Sequence, residues 1–171
     1  EQELASQLYG SVAGGEVGMG FEGHDEGYLE ELAPYFDEEF PYVLYIGRKE
    51  LGKGVTDLID HFIEFKDSTD SALRLVIAGG GSYKDLQRDQ VFKRGDVIDL
   101  SQVSERNKHR LIKNALFLCQ PSLNESFSIV LMEAWLLGTP VVVHACCPVT
   151  KDHVIKSGGG LYFGSSEDFT A

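Results

Sequence analysis

The chain is short of cysteine, short of positive charge and without long hydrophobic runs. It has three cysteines in 171 residues, Cys119 and the adjacent Cys146 and Cys147. An odd number with two neighbours is no disulfide framework, and it points to a reducing compartment such as the cytosol. Fifteen Lys and Arg face 27 Asp and Glu, a formal net charge of −12. A sequence-independent nucleic-acid binder needs a basic stripe, so this balance argues against one while leaving room for a local basic pocket. No apolar run approaches the roughly 20 residues of a membrane span, and no signal peptide opens the chain. The first residue, Glu1, is not methionine, and the closing SSEDFTA carries no helix stop. Both ends read as cuts, so the chain is expected to be a piece of a longer protein.

What is there divides in two. Residues 1–40 include the glycine-rich, acidic GSVAGGEVGMGFEGHDEG and show no sustained period. They read as a linker or irregular edge from a preceding domain, with a short helix at Tyr28 to Ala33 limited by Pro34. From residue 41 to 171 the pattern is regular. Apolar runs at 42–46, 73–78, 96–100, 115–119, 141–143 and 161–163 read as strands. Between them lie helical stretches. In GVTDLIDHFIEF, Val55, Leu58, Ile59, Phe62 and Ile63 fall on one helical face. Lys84 to Phe92 is a second helix. Ser104 caps a third that runs to Asn114. Residues 126–137 form a fourth, stopped by Gly138 with Pro140 just beyond. Thr150 to Lys156 is a short fifth. The strands are continuous apolar runs and not alternating ones, so both of their faces are buried. The expected fold class is α/β: a doubly wound, Rossmann-like parallel sheet with helices on both faces.

In such sheets ligands bind at the carboxyl ends of the strands, near a switch in strand order. After the first strand, GRKELGKG places Arg48, Lys49 and Lys53 in one loop of an acidic protein, next to a helix N-terminus. The cluster suits a diphosphate, and it equally describes a solvated basic loop. It is not a P-loop. After the second strand, Gly79-Gly80-Gly81 lets backbone approach a ligand, and it also suits any tight turn. After the fourth comes PSLNES and the segment ESFSIVLMEAWLLGTPVVV, in which Glu133 follows Glu125 by eight positions. Eight steps of about 100° return to within roughly 80° of the start, so both carboxylates can address one cleft from different depths. Free N–H groups at the helix start between them favour an anion. The plainer reading makes Glu125 a helix N-terminal charge and pairs Glu133 internally with an Arg or Lys.

At this point the residues resemble a known family. ESFSIVLMEA is similar to the E-x₇-E motif of retaining glycosyltransferases of the GT-B fold, family 4 type. YIGRKELGKGVTDLI resembles that family's strand–GR…KG–helix segment, LVIAGGG its next strand and turn, VIDLSQVSERNKHRLIKNALFLCQPSLNE the approach to the motif, and GTPVVV the segment after it. The likeness covers about residues 42–164 and implies the C-terminal, donor-binding half of a GT-B fold. It implies that Arg48 and Lys53 stabilise a departing diphosphate and that Glu125 contacts the transferred hexose near the reacting centre. Glu133 would hold the ribose, and the amides of Phe127, Ser128 and Ile129 would support phosphate and sugar. Val103 would lie against the base, with Gly81 in the glycine turn. The substrate would be a UDP-, GDP- or ADP-linked sugar, with neither a cofactor nor an obligatory metal. A missing N-terminal domain would bring the acceptor, a sugar, lipid or protein, and would provide any contact with the inner membrane face of a cytoplasmic protein.

The chain departs from the family at Ser128 and at Ser101, where glycine is usual. HACCPVTKDHV also replaces a stretch that commonly carries a glycine pair and a glutamate. These departures support a second reading, a non-catalytic, degenerate module of the same fold; a third, another sugar-nucleotide enzyme such as a 2-epimerase, should lack the combination of GR…K with E-x₇-E and is disfavoured. His144, Cys146, Cys147 and His153 fit no common zinc spacing. Cys119 and Trp135 are expected to pack in the core, and His61 to lie on the polar side of its helix.

Overall fold

The computed structural model describes residues 26–81 and 90–170. Six strands form one sheet: β1 (Tyr42–Ile46), β2 (Arg74–Ala78), β3 (Val97–Asp99), β4 (Phe117–Gln120), β5 (Val141–His144) and β6 (Gly160–Phe163). The helices are α1 (Glu26–Glu30), α2 (Val55–Ser68), α3 (Glu105–Asn114), α4 (Ile129–Leu136), α5 (Pro148–Ser157) and α6 (Ser166–Thr170). Every strand pair is parallel, in the order β3-β2-β1-β4-β5-β6. The chain thus runs outward from β1 in one direction, returns, and runs outward from β4 in the other. The switch falls between β1 and β4, and the expected doubly wound α/β architecture is what the sequence folds into.

Alternation along the strands explains how both faces are filled. Tyr42 and Leu44 point to one side, with Leu111 and Ile112 of α3, Leu131 and Ala134 of α4 and Val154 of α5. Val43 and Tyr45 point to the other, with Val55, Leu58, Ile59 and Phe62 of α2. Each large aliphatic side chain withdrawn from water in this way stabilises the fold by about 1.5–3 kcal/mol. Cys119 is fully buried in the second cluster, as expected of a strand core residue. Trp135 is likewise a packing residue, and its Nε1–H donates to the Gly159 carbonyl at 2.8 Å.

Several boundaries differ from the sequence reading. The short helix expected at Tyr28 to Ala33 is α1 at Glu26–Glu30; Leu32 beyond it is buried, and Tyr28, Tyr35, Phe36 and Phe40 pack against the first core cluster. The glycine-rich stretch before residue 26, and most of the helix expected at 84–92, lie outside the described residues. The end of that stretch is a 3-10 turn, Val91–Lys93. His61 is half-buried and not fully solvated, with its ring 5.9 Å from the rings of both Phe163 and Phe169. The largest change concerns the helix expected from residue 126. It begins at Ile129, because Ser128 has φ 65° and ψ 71°, a left-handed conformation that cannot continue an α-helix backwards.

Candidate functional site

The strand order switches between β1 and β4, the place where ligands bind in such sheets, and the two segments that leave the carboxyl ends of these strands form its two walls. The β1 wall leaves the strand at Gly47 and makes a 3-10 turn, Leu51–Lys53, which hands over to α2 at Gly54. Gly54 has φ 69°, and a Cβ there would lie 2.5 Å from the carbonyl oxygen of Pro121, just after β4. No side chain fits at that contact, so the two walls touch backbone to side chain-free backbone. The contact carries Lys53 to the opposite wall. Its Nζ donates to Glu125 Oε1 at 2.8 Å, and Gln120 Nε2 donates to the same oxygen at 3.3 Å.

Arg48 shares this loop but stays on the rim, where its guanidinium pairs with the exposed Glu50 at 3.0 Å. Lys49, counted from sequence among three available cations, is not available. Its side chain is fully buried, and Nζ donates to Asp99 Oδ1 at 2.5 Å. The same carboxylate oxygen accepts the Ser101 N–H at 2.8 Å, while the Ser101 carbonyl accepts from Gly79 N–H at 2.6 Å. Lys49 also bonds through its backbone, N–H to the Gly80 carbonyl at 2.8 Å. Gly81, at φ 106°, lies so close that an added Cβ would come within 3.0 Å of Lys49. The turns after β1, β2 and β3 are therefore locked together. Val103, further along the turn after β3, is half-buried against the first core cluster.

The second wall follows β4. Glu125 has a side chain 10% exposed and stands three residues before Ser128, the N-cap of α4. Phe127 packs edge-on to His153 of α5, ring centroids 5.1 Å apart, and Ile129 is half-exposed. Glu133 lies one helical turn inside α4 and accepts from Lys108 Nζ at 2.8 Å. Lys108 also pairs with Glu105 at 2.6 Å. Burial is the largest influence on this ammonium and pulls its pKa down, but the hydrogen bonds to Glu105 and Glu133 more than offset it and the net shift is upward. The Glu105 carboxyl is held below its ordinary value, chiefly by the hydrogen bond from Lys108. Both glutamates of the pair thus have lysine partners, contributed by different elements. Glu105, His109 and Glu133 are, among the described residues, the one trio of possible metal ligands close enough to share an ion. Lys108 lies between its two carboxylates, and the His109 ring is bonded to Tyr28 Oη at 2.6 Å. His144, Cys146, Cys147 and His153 form no such group.

Glycosyl transferases group 1 is the family whose model matches residues 32–169. The chain belongs to this family. A protein of Methanocaldococcus jannaschii named uncharacterized glycosyltransferase MJ1607 is 35% identical over 104 residues, which are 59% of this chain and 26% of that protein. Phosphatidyl-myo-inositol mannosyltransferase of Mycobacterium leprae is 34% identical over 102 residues, 58% of this chain and 27% of that one. The chain spans about a quarter of the length of the curated relatives it matches. Among solved structures, the lipopolysaccharide outer core galactosyltransferase WaaB superposes with a TM-score of 0.64 at 27% identity, over 81% of this chain and 40% of that one. A sucrose-phosphate synthase from Thermosynechococcus elongatus shares the fold, with a TM-score of 0.69 at 20% identity over 99% of this chain and 45% of its own. No helix among the described residues of this group 1 chain is long and apolar enough to cross a membrane.

Sequence reasoning missed Lys108, Gln120 and Asp99. Lys108 sits in a polar helix with no spacing to mark it, and its meeting with Glu133 depends on how α3 packs beside α4. Gln120 could have been found as a polar residue closing an apolar strand. Asp99 lay in plain view as the lone charge inside VID, at the carboxyl end of β3.

Proposed function

We propose that this domain binds a nucleotide-diphospho-sugar and serves a retaining glycosyltransferase that transfers a hexose. The observation that carries the reading is the Lys53–Glu125 contact across the β1–β4 switch, at 2.8 Å. It joins a cation suited to a diphosphate with a carboxylate suited to a sugar, at the point where this architecture receives ligands. In this reading the diphosphate lies over Lys53 and the start of α4, with Arg48 closing from the rim. Glu125 meets the hexose. Glu133, steadied by Lys108, accepts the ribose hydroxyls, and the turn carrying Val103 lies against the base. The bond from the anomeric carbon to the diphosphate breaks, and the leaving oxygen keeps the electron pair. The acceptor oxygen bonds to the anomeric carbon on the same face and gives up its proton to the departing diphosphate oxygen. Lys53, Arg48 and the α4 amides stabilise the departing charge, so side chains and helix dipole supply what a metal would otherwise supply. The acceptor is a sugar, lipid or protein presented by a further domain.

The test is thermal stability of the protein against UDP-, GDP- and ADP-sugars, with Lys53→Ala and Glu133→Ala as controls. Donor at a hundred times its dissociation constant stabilises the fold by about 2.7 kcal/mol. A shift with one base that both variants lose is the expected result. No shift with any donor at millimolar concentration, in the intact protein as well, would count against the reading and favour a degenerate module.

A further inference from the structure

β4 closes an apolar run with a carboxamide. It reads FLCQ, and its last residue, Gln120, is 6% exposed. The side chain is bonded on one side only. Nε2 donates to Glu125 Oε1 at 3.3 Å, while the Gln120 Oε1 is buried without a hydrogen-bond partner among the described residues. A reversed amide would set its carbonyl oxygen against a carboxylate, so the neighbour dictates this orientation.

The two oxygens of Glu125 are held unequally. Oε1 accepts from both Gln120 and Lys53 Nζ, the latter at 2.8 Å. Oε2 accepts from no described residue and is not among the buried polar atoms that lack a partner, so it is open to solvent. The two donors also differ. Lys53 is charged and one-quarter exposed, and a diphosphate beside it competes with the carboxylate for its three N–H groups. Gln120 is neutral, and its Nε2 has no second acceptor among the described residues. It can hold Oε1 whether Lys53 stays or turns away, and it does so without cancelling the charge of the carboxylate.

We propose that Gln120 is a positioning residue for Glu125: it fixes Oε1, so that Oε2 meets the transferred hexose even when the diphosphate engages Lys53. The inference rests on reading this place as a sugar-nucleotide site with Glu125 at the hexose. Gln120 acts through Glu125 and not on the ligand.

The hexose itself is the reporter in the test. Gln120→Leu and Gln120→Met, both of similar bulk without a donor, are compared in the intact protein with the wild type and Glu125→Ala by calorimetric titration. The probes are UDP, GDP and ADP, each bare and linked to glucose, galactose or mannose. For the base that binds, the ratio of hexose-linked to bare affinity is expected to fall about tenfold in both Gln120 variants, and at least as far in Glu125→Ala. A merely structural role would weaken both forms alike and leave that ratio in place. An unchanged ratio in the Gln120 variants, with a fall in Glu125→Ala, overturns this inference and leaves the donor site standing. A wild type that binds none of the nucleotides, or a ratio that Glu125→Ala does not move, overturns both.

Discussion

The carboxyl edge of the sheet has two unlike halves. Beneath the turns after β1, β2 and β3 the polar groups are satisfied by one another. Lys49 pairs with Asp99, Asp99 also holds the Ser101 amide, and the Tyr45 hydroxyl donates to the Arg48 carbonyl at 2.8 Å. After β4 and β5 the balance is different. Gln120 Oε1, Ser128 Oγ, Thr150 Oγ1 and His153 Nε2 are all buried without a hydrogen-bond partner among the described residues. Buried polar groups are nearly always bonded in native proteins. The first half is therefore a closed scaffold of mutually bonded turns. The second half leaves these four buried atoms without such partners, a local cost in stability.

The comparison is most easily broken at Lys49. Asp99→Ala removes the carboxylate that pairs with a fully buried ammonium and should cost about 3–5 kcal/mol, read as a lower urea midpoint. A Lys49→Met, Asp99→Leu double variant should regain most of that loss. A single variant within about 1 kcal/mol of wild type would mean that the first half is no scaffold. Glu125→Ala, on the other side, leaves Lys53 one-quarter exposed and able to turn to water. Its stability cost should be about 1 kcal/mol or less, while donor binding falls. Equal stability losses at Asp99 and Glu125 would erase the distinction between scaffold and site.

Ser101→Gly relieves backbone strain at φ 53° without touching a buried hydroxyl. It should stabilise by about 0.5–1 kcal/mol, less than Ser128→Gly, and paired denaturant melts decide the order. The smallest effect concerns His144. Burial lowers its imidazole pKa, with Asp57 opposing and His61 adding to the shift, and Nδ1 accepts the Cys146 N–H at 3.1 Å. The fold thus prefers the neutral ring. Its contribution is complete above the ordinary imidazole range, near pH 6.5, and drains away as pH falls through that range toward the lowered folded value. His144→Gln should flatten that part of the stability profile, and an unchanged acid limb would remove His144 from the account.

Much of the fold was legible because burial on both faces writes continuous apolar runs for β1, β2 and β4, and because α2 shows its buried face as a helical stripe. Helix ends were less legible. α4 starts three residues later than its composition suggests, since the left-handed turn at Ser128 is a backbone event that serine ordinarily disfavours. The spacing of Glu125 and Glu133 could be read directly, but their partners could not. Lys53 is 72 residues from Glu125 along the chain and Lys108 is 25 from Glu133.

Sequence by itself therefore determined the layers, the parallel sheet and the family, because local period and ordered motifs are properties of neighbours along the chain. Tertiary structure alone decided where the cations of the β1 loop lie. Of the three in the β1 loop, Lys49 was taken into the interior by Asp99, Arg48 was left at the rim, and Lys53 was carried across to Glu125. Close approach at Gly54 and the pairing of distant strands set those fates, and neither is encoded in the spacing of the residues concerned.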